Sequence, residues 1–414
     1  MRQPVTRLVL AVVTCVTVAA CSSSPASEPP PTSASAPDSG APAESAHVPS
    51  VPVADVFGPA TWGLLLPTTD TQGPPPVVTA DRVIFLEGET VRALGPDGKQ
   101  AWEGTWDAFT ADTRSGGASG YPFLRQVSPE VVAVVDGGRA SGEGLDRDSY
   151  DTRVALFNIA DGKVIKEVVL QGTEGEAPQP GEIGLGFYLG GDPQGTVSVV
   201  LSDGEVKELL PVEGQRTAGA ATIGDTALTI TGDHQPVPDG FNGPGYDSAS
   251  LAPSPKHTLG SVQASNADNW LVGRFVVPMG EPVYRVFEAD SGRLLSEPNC
   301  DPVGADQITM SPDRSWGVLG PMRLDKAGNT TCFGGEDQRK VRLTAVTDDG
   351  RAFGLASQSG ADDVLVDVDH SGEVSTTELP EGAAPPVGVM SDGLAIHWDP
   401  HTATLTANPI KEEE

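Results

Sequence analysis

The chain has 414 residues, with 26 Lys and Arg against 57 Asp and Glu, a formal net charge of −31. That balance argues against nucleic acid, whose binding rests on Lys and Arg neutralising phosphates, and against a polybasic grip on anionic lipid; small cations are the partners such a field favours. With 49 Gly and 37 Pro and no long apolar stripe of period 3.6, the chain reads as β-rich rather than helical.

At the N-terminus, Arg2 and Arg7 precede an uncharged apolar run, 8–20. Thirteen residues rising 1.5 Å each cover ~20 Å, against a bilayer core of ~30 Å. The run is therefore expected to be a secretory signal and not a spanning helix. It ends Val18-Ala19-Ala20-Cys21, followed by Ser22-Ser23-Ser24. This ending resembles a bacterial lipobox. The resemblance implies that Cys21 carries the lipid, palmitate included, and becomes residue one of a mature lipoprotein. An ordinary secretion signal with a chance cysteine is the alternative. Loss of residues 1–20 removes Arg2 and Arg7 and takes the net charge from −31 to −33. Membrane attachment would then come from acyl chains alone, at roughly 0.8 kcal/mol per buried CH₂. The expected location is the extracytoplasmic face of the cell membrane.

Residues 21–55 are Pro-, Ser- and Ala-rich, with Pro25, Pro29, Pro30, Pro31, Pro37, Pro42, Pro49 and Pro52, and no Lys or Arg lies between Arg7 and Arg82. Such a stretch buries too little apolar area to offset its ordering entropy. It is expected to be a disordered, semi-stiff tether reaching ~100 Å at about 3.1 Å per residue.

Residues 56–410 are expected to form one domain. An alternating apolar strand, an Asp-Gly or Ser-Gly turn and a second strand recur at 91–99, 154–163, 197–205, 283–293 and 364–373. Glycine supplies the positive φ that such turns require. A second kind of hairpin reads at 308–319, 343–355 and, with a shorter second strand, 387–396. Two hairpins make one four-stranded sheet, and repetition of such sheets predicts an all-β fold, a β-propeller of about seven blades, with six or eight open. The turn glycines Gly98, Gly162, Gly204, Gly292 and Gly372 lie 64, 42, 88 and 80 residues apart, so insertions or degenerate blades are required. An irregular pair of β-sandwiches is the rival fold.

Residues 77–85, followed by Ala93, Leu94, Gly98 and Trp102, resemble one repeat of the quinoprotein-like (PQQ-like, YVTN-type) propeller family. Its Ala-Leu-x-x-x-Gly-x-x-x-Trp pattern is a strand and turn closed by Trp. The other hairpins lack that Trp. The resemblance implies the fold and not quinone chemistry, since no adjacent Cys pair is present.

Of the four cysteines, Cys15 falls in the signal and Cys21 takes the lipid. Cys300 and Cys332 remain as an expected disulfide in an oxidising compartment. Closing a loop of about 33 residues contributes roughly 3–4 kcal/mol. Two cysteines without a partner His make no zinc site.

Residues 367–378 fit a calcium-loop pattern, with Asp367, Asp369, Ser371, Glu373 (through its carbonyl) and Glu378 as candidate ligands, Gly372 at the sharp turn and Val374 at the apolar position. The flanks do not read as helices, and Pro380 stops one. Calcium would therefore sit on a hairpin, in a loop resembling those of integrin-type propellers, held chiefly by Asp367, Asp369 and Ser371. The alternative is that Asp and Gly serve turn geometry alone. His397 and His401 flank Pro400, which argues against a zinc-binding helix; both are expected at the surface. No nucleophile elbow, phosphate loop or distinct carboxylate pair occurs, and no catalytic residue or other cofactor is assigned. Two polar insertions, 105–126 with Tyr121 and Phe123 and 231–256 with Phe241 and Tyr246, are expected to carry binding.

The combined expectation is a lipid-anchored extracytoplasmic propeller that binds or scaffolds an envelope protein or cell-surface component, with no nucleic acid. A propeller-fold enzyme (a lyase or a glycoside-acting protein) and a calcium-binding surface protein are the alternatives.

Overall fold

Each Asp-Gly turn reverses the chain onto the strand before it, and the reversals accumulate into small antiparallel sheets. The computed structural model describes residues 49–66, 74–109, 122–140, 149–172, 179–180, 186–188, 197–209, 217–223, 226–231, 245–247, 251–254, 258–264, 270–276, 283–300, 308–334, 339–358 and 362–412. Their strands fall into eight sheets, seven with four strands and one with three. In chain order these are blades 1 (77–105), 2 (123–171), 3 (179–209), 4 (217–247), 5 (258–296), 6 (309–332), 7 (340–378) and 8 (388–409). Blade 8 takes its fourth strand, Trp62–Leu65, from the other end of the domain. Trp62 pairs with Ala407 and Leu65 with Thr404. In blade 4 the strand Gly245–Asp247 runs parallel to its neighbour.

The sheets form a ring. Blades 1 and 2, 3 and 4, 4 and 5, 6 and 7, 7 and 8, and 8 and 1 touch through their strands. Val200 of blade 3 joins the core of blade 2, and a disulfide and a shared apolar cluster join blades 5 and 6. The fold is a β-propeller. Two of its elements have no hairpin signature of the expected kind. Blade 6 turns at Asp325-Lys326-Ala327-Gly328-Asn329, with Gly328 at φ +81°. Blade 8 has no third turn, because its outer strand precedes the ring in sequence.

Adjacent blades dock in a repeated way. Trp102, on the outer strand of blade 1, lies over Gly162 in the turn of blade 2, and its indole N–H donates to the Ile159 carbonyl (2.7 Å). Trp62 of blade 8 lies likewise over Gly98 of blade 1 and donates to the Pro96 carbonyl (2.9 Å). Lys166 and Leu295 take the same place over Gly204 and Gly328. The docking Trp is thus not confined to blade 1. Trp62 escapes the sequence pattern because its turn and its strand lie at opposite ends of the domain.

The compact unit begins at His47. Val51 and Ala54, in the stretch expected to be tether, are buried. Val51, Ala54 and Phe57, three residues apart, turn inward, and a turn closed by the Phe57 N–H on the Ala54 carbonyl (3.0 Å) shapes residues 51–58 into an irregular segment, which we call the strap. Ala54 and Phe57 lie against Phe353 and Leu365 of blade 7 and Ala395 of blade 8. Most of the two polar insertions, with Tyr121 and Phe241, lies outside the described residues. At their edges Phe123 opens the strand Phe123–Ser128, and Tyr246 lies in the strand Gly245–Asp247.

Candidate functional site

The proposed calcium ligands sit on blade 7, at the seam with blade 8. Asp367 belongs to the third strand, Val364–Val368, and its side chain is 6% exposed. Arg351, which opens the second strand of the blade, grips it with both arms: Nε donates to Oδ1 (3.0 Å) and Nη2 to Oδ2 (2.6 Å). A planar fork on a carboxylate is the geometry that guanidinium favours. The third arm of Arg351 donates to the Lys411 carbonyl (2.9 Å), tying the end of blade 8 to blade 7.

Asp369 closes the turn. Its carboxylate accepts from the Ser371 hydroxyl (2.8 Å) and the Glu373 N–H (2.7 Å). The Ser371 hydrogen bond, chiefly, holds it below the usual carboxylate range. The same four-residue reach recurs at Asp325, which accepts the Asn329 N–H (2.9 Å), whereas Asp97, Asp161 and Asp203 each accept from the N–H two residues on. Glu373 and Glu378 are exposed, and Glu378 pairs with Val364 at the opposite end of the hairpin from the turn. The structure thus gathers Asp369, Ser371 and the backbone of Glu373, directs Asp367 to Arg351, and sets Glu378 apart. Among the described residues no three His, Cys, Asp or Glu side chains are placed to hold a metal ion.

An open cavity of about 450 Å³ lies at the same seam, lined by Thr347, Asp348, Asp349, His370, Met390 and Lys411. A second, of about 420 Å³, continues past Arg351 and Asp367. Burial, together with the charges of Asp313 and Asp349, pushes the Asp348 carboxyl up. That carboxyl accepts the Asp313 N–H (2.7 Å). Between blades 6 and 7, Arg323 is buried. It donates to the carbonyls of Gly350 and Asp369 (2.7 Å each), and its guanidinium lies 5.0 Å from the Trp316 ring and 5.6 Å from that of Phe333. Sequence reasoning missed Arg323 and Arg351. Arg323 is a cation within an apolar strand, Met322–Asp325, and Arg351 stands at the mouth of another, Ala352–Ser357; those positions are the available signal of a clamp.

His397 is not at the surface. It is 0% exposed, on the second strand of blade 8, Leu394–Asp399. An inner strand of a propeller blade is covered on both faces by neighbouring blades, so no polar side faces water. Its Nδ1 lies 3.1 Å from the Ala384 carbonyl, and since only a donor serves there, Nε2 is left bare; Nε2 is buried without a partner. Burial pushes the imidazole down to about 4, against the favourable Ala384 contact. His401 is exposed, in the connection after that strand, where its N–H donates to Asp399 (2.9 Å).

Cys300 and Cys332 are joined, with Cα atoms 5.6 Å apart, linking the chain after blade 5 to the outer strand of blade 6. Cys21 lies outside the described residues. Among the described residues no helix is long and apolar enough to cross a membrane.

No protein-family model matches the chain, and no curated protein matches it in sequence. Among solved structures the chain is similar to one from "Crystal Structure of Mitotic Checkpoint Complex", with a TM-score of 0.42 and 10% identity over 89% of this chain and 99% of that one. It is also similar to the Myceliophteria thermophila Cps50 (Swd1) beta-propeller domain, with a TM-score of 0.40 and 9% identity over 83% and 98%. The propeller assignment rests on the eight sheets and their ring of contacts.

Proposed function

We propose that this protein is a lipid-anchored β-propeller on the extracytoplasmic face of the cell membrane, acting as a binding or scaffold module for an envelope protein or cell-surface component. The observation that carries the reading is the way the ring closes. The strand that completes blade 8, Trp62–Leu65, directly follows the strap and the tether. A closed, internally docked ring on a long polar leash has the build of a rigid platform, with its loops free to meet a partner. The disulfide between blades 5 and 6 fits an oxidising compartment, and the net charge of −31 disfavours phosphate-rich partners and suits a cationic protein surface.

Two measurements test this. In cell fractionation the wild type is expected with membranes and Cys21→Ser in the soluble fraction; equal membrane retention of both refutes the anchor. Soluble ring, residues 47–414, is expected to bind intact envelopes saturably, with unlabelled ring competing and added salt weakening the binding. Binding that neither saturates nor competes refutes the module.

A further inference from the structure

The strap is held on the ring by backbone hydrogen bonds and the packing of Val51, Ala54 and Phe57, and the last of these lies on a buried imidazole. Phe57 bridges to Ile410 in antiparallel fashion. The Gly58 N–H donates to the Pro409 carbonyl (2.8 Å) and the Lys411 N–H to the Val56 carbonyl (3.0 Å). The Lys411 ammonium donates to the Asp55 carbonyl. Under the strap runs a buried polar row on blade 8: the Thr406 hydroxyl donates to Asn408 Oδ1 (3.0 Å), and Asn408 Nδ2 donates to the Gly58 carbonyl (2.9 Å). His397 pairs with Thr406 across the two strands. The Phe57 ring stands edge to face on the His397 ring at 4.7 Å and lies 5.3 Å from Phe353. Phe57 is therefore the plug over His397, seated in an apolar groove made by Phe353, Leu365 and Ala395.

The geometry points to an acid-operated latch: protonation of His397 at its bare Nε2 expels Phe57 and frees the strap from the seam between blades 7 and 8, while the ring stays closed through Trp62–Leu65.

Among the described residues the site has no counter-charge for an imidazolium. On the strap the charged residue is Asp55, which is exposed, and on the connection 379–387 it is Glu381, also exposed. On blade 7, Arg351 and Asp367 are paired with each other. On blade 8 and the described chain after it, Asp392 is exposed, Asp399 accepts from His401 and Thr402, and Lys411 and Glu412 are exposed. Protonation therefore puts an unpaired cation among aromatic and aliphatic groups. Such a state relaxes by admitting water, and the strap is a lining element outside any sheet, fixed by a few backbone hydrogen bonds and by the packing of Val51, Ala54 and Phe57. If opening returns His397 to its ordinary value of 6.5 from about 4, linkage shifts the opening equilibrium by up to about 300-fold between neutral pH and pH below 4.

Amide hydrogen exchange on the full secreted chain, corrected for intrinsic rates, tests the latch from pH 7 to pH 4. Phe57, Gly58 and Lys411 are expected to lose protection progressively as pH falls, by one to two orders of magnitude, while amides of Val83–Glu87 and Thr90–Leu94 in blade 1 stay protected. His397→Asn keeps a donor for the Ala384 carbonyl and cannot take up a proton; it is expected to abolish the pH dependence. Phe57→Ala is expected to open the strap at neutral pH with blade 1 still protected. The latch is overturned if wild-type strap amides stay protected at pH 4, if His397→Asn loses them as the wild type does, or if either acid or Phe57→Ala exposes blade 1 together with the strap.

Discussion

Replacing Gly162 by Ala isolates the energetic content of the blade-to-blade dock. Gly162 has φ +70°, and a Cβ built on it meets Trp102 Cδ2 at 2.5 Å and Cγ at 2.9 Å. Two costs add. A left-handed conformation costs a non-glycine residue about 1–2 kcal/mol. Forcing an indole out of a packed seat costs about 1–3 kcal/mol more, and displacement also weakens its hydrogen bond to the Ile159 carbonyl, a net contribution near 1 kcal/mol. The expected destabilisation is therefore about 2–5 kcal/mol. Gly382 and Gly393 provide the control, since each has φ +77° and an added Cβ meets nothing within 4 Å. Ala at either should cost about 1–2 kcal/mol from the backbone alone. Guanidinium unfolding followed by tryptophan fluorescence measures all three, compared at equal m. Trp102→Leu should then be partly compensating in the Gly162→Ala background, because the two residues share one contact. If Gly162→Ala costs no more than Gly382→Ala, the indole does not press on the turn and the docking account is wrong.

Asp367→Ala removes the carboxylate from the half-buried Arg351 guanidinium, which keeps its Lys411 carbonyl, and is expected to cost about 2–4 kcal/mol; adding Arg351→Met should recover part of that loss in the same denaturation assay. Since both Asp367 oxygens are bound by Arg351, millimolar calcium is expected to leave the thermal midpoint unchanged, and a calcium-dependent rise reversed by EDTA would restore the metal loop. Reduction of Cys300–Cys332, 32 residues apart, should lower stability by roughly 3–4 kcal/mol, and peptide mapping without reductant should show the linked pair. Global stability should also carry the His397 signature. The unfolded imidazole takes a proton near 6.5 and the folded one only near 4. The unfolded state therefore binds more protons in that window, and stability falls as pH drops, by about 1.4 kcal/mol per pH unit and about 3 kcal/mol in all; in His397→Asn this slope disappears.

The hairpins were readable because their chemistry is local. An Asp that caps its own turn and a Gly that takes positive φ sit within five residues of each other, as at Asp97 and Gly98 or Asp369 and Gly372. What was not readable depends on distance or on which face a strand shows. Blade 8 draws Trp62 from 345 residues away in the register with Ala407, and no pattern along the chain marks that pairing. Asp367 fits a ligand position by spacing, yet it stands in a strand whose residues Leu365 to Val368 are all buried. Its partner, Arg351, comes from the turn that leads into the neighbouring strand Ala352–Ser357. His397 was misplaced for the same reason: polar residues mark an exposed face only where a sheet has one, and an inner blade strand has none.

The strap has a structural reason that follows from the closure. Blades 8, 1, 2 and 5 each lay an outer-strand side chain over the turn between the third and fourth strands of the next blade. Blade 7 has no such turn to lie on. In blade 8 the third strand ends at Pro409 and the fourth begins at Trp62, so two chain ends stand where a turn would be. The outer strand of blade 7, Val374–Glu378, correspondingly carries no aromatic residue, and Val374 is 46% exposed. Residues 51–58 and 410–412 fill this gap, with Phe57 in the seam and Arg351 reaching the Lys411 carbonyl. The seam where the ring is joined is thus sealed by a segment that belongs to neither blade. Covalent continuity secures the turns on which blades 8, 1, 2 and 5 dock, and it is absent at this seam, where the strap enters.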